Sequence, residues 1–344
     1  MTERSPVLSV RGLSVRGLSV RFLMPGGRRV AAVTDAHFDV AAGECLALIG
    51  ESGCGKSVLA SALLGLLPGN AEAAGEARLG GLDLLSADER TLATTVRGRL
   101  IGLIPQGPAA HLTPVRTIRS QLEETVAALT GVRSRAAVRS AARAAAERAA
   151  FPPDHLDRHP HELSGGLAQR AATALALVGD APLLLADEPT TGLDRDLVDR
   201  TIDELRRHLD HPDKPDAAGR GLLMITHDLA AAERIADRIA VMYAGRIVEL
   251  ADAEVFFGAR GPRHPYSRGL LQALPDRAFT AIPGLPPELG ALPEGCAFAA
   301  RCDRADDACA ALPPPAGKVA CHHPHPASAT GEETSQGASE DVHA

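Results

Sequence analysis

Apolar residues along this 344-residue chain fall in short blocks punctuated by glycine and proline. "AAGECLALIG" reads as a short apolar strand running into glycine-rich chain, and "KSVLASALLGLL" close behind it has the apolar spacing of a helix. Together they predict a strand, a loop and a helix. Two further apolar strands follow, "APLLLADEP" and, after the polar insertion "DHPDKPDAAGRG", "GLLMITHD". Residues 133–150 are rich in Ala and Arg, with Arg135, Arg139 and Arg143 on one stripe of the solvated face of a helix. Near the start, "VLSVRGLSVRGLSVRF" repeats a five-residue unit. Strand side chains alternate with period two, so an odd repeat points successive leucines to opposite faces and only alternate copies can share a core register. Leu18 to Phe22 is the expected strand, with the earlier copies as an extension. From about residue 283 the chain turns proline-rich, and from 327 it is small, polar and acidic, the composition of a disordered tail.

Composition narrows the classes. With 45% apolar and 23% charged residues, the chain can bury a substantial core, as one large domain plus an appendage or as two medium domains. It has no Trp, two Tyr and seven Phe, so platforms for stacking nucleic-acid bases are scarce. The formal net charge is −7, of which Glu332, Glu333, Glu340 and Asp341 carry four units. The near-neutral remainder disfavours a binder of phosphate backbones. No apolar run reaches the roughly 18 residues of a membrane span, and "MTERSPVLSV" has no signal-peptide core. A cytosolic chain is expected, in which disulfides are disfavoured.

Three motifs carry chemistry. "GESGCGKS" (Gly50, Glu51, Ser52, Gly53, Cys54, Gly55, Lys56, Ser57) is a phosphate-binding loop between strand and helix. Its backbone N–H groups wrap phosphates, Lys56 reaches the terminal ones and Ser57 ligates magnesium. "LLLADEP" ends a buried strand in two acids: Asp187 suits the magnesium shell, and Glu188 suits orienting or deprotonating a water. "HELSGGLAQR" opens a helix whose start Ser164 can cap, leaving N–H groups for an anion.

The order phosphate loop, "LSGG", "LLLADEP", "TTGLD", "ITHD" resembles the ATP-binding subunit of ABC transporters, over roughly residues 7–258. The resemblance implies a P-loop NTPase of α/β class, with a RecA-like parallel sheet, an antiparallel β subdomain and a helical subdomain at about 107–180. By the same resemblance Gln106 links the nucleotide site to transmembrane subunits and joins Ser57 and Asp187 as a magnesium residue. Ser164, Gly165 and Gly166 contact the γ-phosphate held by the opposite subunit, Asp194 crosses the dimer interface, and His227 contacts the γ-phosphate. Glu188, His227 and Gln106 are thus the expected catalytic residues, and Phe22 is the candidate aromatic for adenine. The glutamine usual after "LSGG" is Leu167 here, with Gln169 two positions on.

Beyond the cassette, "RHPYSRGLL" and "CAFAARC" resemble the C-terminal extension of ATPases that drive peptide and nickel importers. Residues 259–326 are read as that extension and 327–344 as its acidic tail. Cys296, Cys302, Cys309 and Cys321 are spaced C-x5-C-x6-C-x11-C, which alone selects no metal. The resemblance implies a [4Fe-4S] cluster, with zinc as the alternative; Arg301 and Lys318 could offset its charge, and His322, His323 and His325 are candidate substitute ligands that a proline-broken tail is expected to leave solvated. The expected protein is the ATP-hydrolysing subunit of an importer of di- or oligopeptides or a nickel-type complex. It would sit on the cytoplasmic membrane face with two permease subunits, a second ATP-binding subunit in a heterodimer and, indirectly, an extracytoplasmic binding protein, and without nucleic acid. The alternative is a soluble ABC ATPase of translation or DNA repair.

Overall fold

The computed structural model describes residues 12–210, 219–313 and 318–326. In chain order it contains β1 (Leu13–Leu23), β2 (Arg29–Val40), β3 (Cys45–Ile49), α1 (Lys56–Leu63), β4 (Ala71–Leu79), β5 (Leu82–Asp83), α2 (Glu89–Thr91) and β6 (Ile101–Ile104). Then come α3 (Ile118–Leu129), α4 (Arg135–Arg148), α5 (Gly165–Ala176), β7 (Leu183–Asp187), α6 (Arg195–Asp210), β8 (Gly221–Thr226) and α7 (Leu229–Ile235). The last elements are β9 (Arg238–Tyr243), β10 (Arg246–Asp252), α8 (Ala253–Phe257) and α9 (Pro265–Gln272). One sheet runs β2-β1-β4-β5, antiparallel throughout; the other runs β10-β9-β3-β8-β7-β6, parallel except for β10.

The apolar runs of β3, β7 and β8 are buried on both faces, which is why they read as blocks without alternation. Leu46, Leu48, Leu183, Leu185, Leu223 and Ile225 point into one core with α1 and the antiparallel sheet. Their neighbours Cys45, Ala47, Ile49, Leu184, Ala186, Leu222 and Met224 point into a second core with α6, α7 and the C-terminal aromatics. A third core joins α3, α4 and α5, with Val138, Ala142 and Ala145 inward and Arg135, Arg139 and Arg143 exposed.

The repeat departs from the parity expected of it. Leu13, Val15, Leu18 and Val20 are all buried, so two consecutive copies share one face. The cause is a bulge at Gly17, whose φ of +63° suits glycine: Val15 to Leu18 opposes only Phe38 to Ala36 on β2, and Arg16 to Ser19 only Glu76 to Ala74 on β4. One extra residue restores the phase that an odd repeat loses. The copy before Leu13 and the acidic tail fall almost wholly outside the described residues.

The C-terminal chain is tied to β10. Glu249, 2% exposed, accepts the backbone N–H groups of Arg263 and His264 at 2.7 and 2.9 Å. Leu250 N donates to Lys318 O and Ala320 N to Val248 O, so residues 318–320 line the free edge of β10. Burial pushes His264 down to about 4 against an opposing bond to the Ala320 carbonyl, so its ring is neutral at pH 7 and Nδ1 accepts the Tyr266 N–H at 3.1 Å, capping α9.

Candidate functional site

The parallel sheet sorts the motifs. The phosphate loop leaves β3, His227 follows β8, Asp187 and Glu188 end β7, and Gln106 follows β6. These strands are adjacent, with Ile49 level with Thr226, Asp187 with Ile225 and Ile104 with Ala186. All four segments therefore emerge at the carboxyl end of one sheet, where ligands of open α/β sheets bind.

Within the loop, Gly50 (φ +155°) lies against the Met242 carbonyl and Gly55 (φ +109°) against that of Ala32. Lys56 is 7% exposed, and its Nζ donates to Gly50 O at 2.7 Å and Glu51 O at 3.0 Å, held in the loop whose phosphates it would meet. Ser52, Gly53 and Ser57 are exposed, whereas Cys54 is buried with Sγ 3.9 Å from Lys56 Nζ. Burial pushes the Cys54 thiol up against the opposing pull of Lys56, so it fills space as a neutral group.

Asp187 and Glu188 are each 7% exposed. Burial pushes the Asp187 carboxyl up; Ser57 and Lys56 oppose this and Glu188 adds to it. Its Oδ1 is buried without a hydrogen-bond partner. An orphaned carboxylate oxygen beside a serine hydroxyl is a donor set for a hard cation, so the residues present fit magnesium. Glu188 stands at a φ of +53°, a strained conformation for a residue with a Cβ, with its N–H bonded to Ile225 O. Its Oε2 lies 2.7 Å from His227 Nδ1 and 3.4 Å from Thr191 Oγ1. His227 is exposed, so the ring both braces the acid and faces solvent. Gln106 is also exposed.

Ser164 caps α5, accepting the Leu167 N–H at 3.4 Å, and Ser164 and Gly165 are exposed at the helix start. They belong to the helical layer, where Gly166 faces Gly192 and Leu193. Asp194 caps α6 through Leu197 N at 3.0 Å and is itself exposed. Phe22 pairs with Val30 and Ala71 and packs half-buried on the first core.

The four late cysteines line one cavity of about 10 Å³ together with His264, Phe298, His322 and His323. A single tetrahedral zinc would need thiolates about 3.8 Å apart, given Zn–S bonds of about 2.3 Å. Among the described residues, the set of ligand atoms lying within 4.8 Å of one another is Asp306, Cys309 and His323, with His323 Nε2 2.7 Å from Asp306 Oδ1. The thiols thus surround one space without closing on a single ion. Two expectations are corrected here. Arg301 does not face the thiols as their counter-charge: its guanidinium is committed to Glu51 of the phosphate loop, at 2.8 and 3.0 Å. His322 and His323 are half-buried at the cavity instead of solvated.

The contacts of Tyr266 and Arg301 with the loop escaped sequence reasoning, since their partner Glu51 lies more than 200 residues away. The one signal was an Arg three positions after the aromatic Phe298 in a segment that also holds Asp303, Asp306 and Asp307.

Known proteins agree with this arrangement. The model of the ABC transporter family matches residues 33–191, and that of the oligopeptide/dipeptide transporter C-terminal region matches 248–309. A putative peptide import ATP-binding protein of Brucella melitensis is 37% identical over 341 residues, 93% of this chain and 96% of that one. The oligopeptide transport ATP-binding protein OppD of Salmonella typhimurium is 39% identical over 303 residues, 85% of this chain and 86% of that one. Among solved structures, a dimeric ATP-binding cassette in a post-hydrolysis state with ADP and phosphate superposes with a TM-score of 0.63 at 24% identity, covering 70% of this chain and 98% of that one. Among the described residues no helix is long and apolar enough to cross a membrane. Cassette fold, strand-end motifs and full-length relatives agree: this chain belongs to the ABC transporter ATPases, in the branch with the oligopeptide/dipeptide transporter C-terminal region.

Proposed function

We propose that this chain is the ATP-hydrolysing subunit of an importer of di- or oligopeptides, bound to two permease subunits at the cytoplasmic membrane face and paired with a second ATP-binding subunit. The observation that carries the reading is the 2.7 Å contact of Glu188 with His227 at the strand ends that also carry the phosphate loop. Lys56 offsets charge on the phosphates. Asp187 and Ser57 would hold magnesium, with Gln106 nearby, and the ion when bound supplies further neutralisation of phosphate charge. Glu188 takes a proton from the attacking water, and His227 keeps the carboxylate aimed while contacting the γ-phosphate. Ser164 and Gly165 are exposed and Gly166 half-buried on the helical layer, where residues that complete the site of a partner cassette would lie, and Asp194, itself exposed, crosses to that partner. Phe22 stacks on adenine, and Gln106 relays the state of the site to the permeases. The relatives named for peptide import support the cargo class.

The nucleotide-binding unit is taken as 7–258, with its helical part at about 107–180, and the extension as 259–326. Cys296, Cys302, Cys309 and Cys321 would hold a [4Fe-4S] cluster; the support is that the four cysteines line one cavity. The cluster when bound would staple a proline-rich segment that has little core of its own.

The test is purification of the tagged chain from its own membranes under anaerobic conditions. Two permease subunits and a second ATP-binding subunit should co-purify, with iron and acid-labile sulfide bound. Recovery with ribosomes or DNA in place of permeases would contradict the import role, and zinc or no metal would contradict the cluster.

A further inference from the structure

We propose that Arg301 and Tyr266 are positioning residues of the nucleotide site, through which the C-terminal region fixes the phosphate loop by its residue Glu51. The inference rests on the reading of Gly50–Ser57 as the nucleotide loop. Glu51 is held on three sides. Its N–H donates to Tyr266 Oη at 2.9 Å, its carbonyl accepts from Lys56 Nζ at 3.0 Å, and its carboxylate takes both arms of the Arg301 fork at 2.8 and 3.0 Å.

The two clamping side chains are themselves immobilised. Tyr266 is fully buried, its ring 4.5 Å from that of Tyr243 and 5.5 Å from that of Phe298. Arg301 is 7% exposed; Nε donates to Pro283 O at 2.8 Å, Nη1 also reaches Tyr243 Oη at 3.3 Å, and the guanidinium lies over the Tyr243 and Phe298 rings. A planar fork fixed at every donor edge sets the direction of the carboxylate it binds.

A carboxylate in a loop that wraps polyphosphate repels its ligand, and with the Glu51 side chain 27% exposed the repulsion is only partly screened. Arg301 offsets that charge and holds the carboxylate on the side where its Nη1 also meets the Tyr243 hydroxyl. The same contacts orient the Glu51 carbonyl that holds Lys56, the group that must meet the phosphates.

The experiment measures the dissociation constant of a fluorescent ATP analogue for the full-length chain, and KM and kcat for ATP in the assembled transporter. Arg301→Met should weaken binding on the order of tenfold. KM should rise while kcat at saturating ATP is kept, because the chemistry at Glu188 is untouched. Adding Glu51→Gln to Arg301→Met removes the uncompensated carboxylate and should restore affinity to within about threefold of the parent. A loss of packing alone would not be rescued by altering a second side chain. Tyr266→Phe, which deletes one hydroxyl, gives an independent reading should Arg301→Met fail to fold, and is expected to weaken binding in the same direction. Unchanged affinity in both single variants, or no rescue in the double variant, would overturn the clamp. Parent protein that binds no analogue would instead overturn the nucleotide reading itself, and the clamp with it.

Discussion

Glu188→Gln should lower ATP hydrolysis by about 10²- to 10⁴-fold, the range of a lost general base, while leaving nucleotide binding intact. The substitution keeps the shape and one acceptor oxygen, so Thr191 and His227 retain a partner. What is lost is the ability to accept a proton from water. Glu188 is 7% exposed and sits at a positive φ that the chain tolerates at few non-glycine positions, so the side chain has little freedom to be replaced by a neighbour. Asp187 cannot take over, because it points to Ser57 and Lys56, away from the position of the attacking water, and burial pushes its carboxyl up. Where the second ATP-binding subunit is a different chain, its matching acid must be replaced as well before the residual rate is read. Hydrolysis at the parental rate would remove Glu188 from the mechanism.

Gly55→Ala should destabilise the protein by about 3–5 kcal/mol, whereas Gly53→Ala, two residues earlier, should cost about 1 kcal/mol. Both glycines have a positive φ, +109° and +79°, so both substitutions incur backbone strain. They differ in surroundings. A Cβ on Gly55 would lie 2.2 Å from the Ala32 carbonyl oxygen, a backbone atom of β2 that cannot turn aside, and 3.0 Å from the Met242 side chain. A Cβ on Gly53 would meet nothing within 4 Å. Urea unfolding of the two variants reads the difference directly. Because Gly55 is also where α1 begins, its displacement should abolish analogue binding, while Gly53→Ala should bind. Equal stability of the two variants would contradict the close approach of β2 to the loop.

The chain's chemistry was more legible than its assembly. Local motifs carry their own geometry: Gly50 to Ser57 needs a strand before it and a helix after it, and "LLLADEP" announces a strand end in acids. Sequence spacing brought these to one face because the strands that carry them are parallel and adjacent. What depends on non-local packing was not legible. Repeat parity ruled out Leu13 as a partner of Leu18, yet one bulge at Gly17 reverses that conclusion, and a bulge is a property of three paired strands together. Arg301 looked like a counter-charge for the cysteines because Cys296 and Cys302 flank it in sequence, and sequence proximity stood in for space. The fold instead turns it toward Glu51, at a separation of 250 residues.

The most direct test of the central claim is peptide accumulation in proteoliposomes containing the assembled transporter and its binding protein, with ATP on the side of this chain. Accumulation should require ATP, rise together with ATP hydrolysis when peptide is supplied, and fall to background with Glu188→Gln in the ATP-binding subunits. Peptide accumulation that persists with Glu188→Gln, or ATP hydrolysis that proceeds with no peptide uptake under any supply, would contradict it.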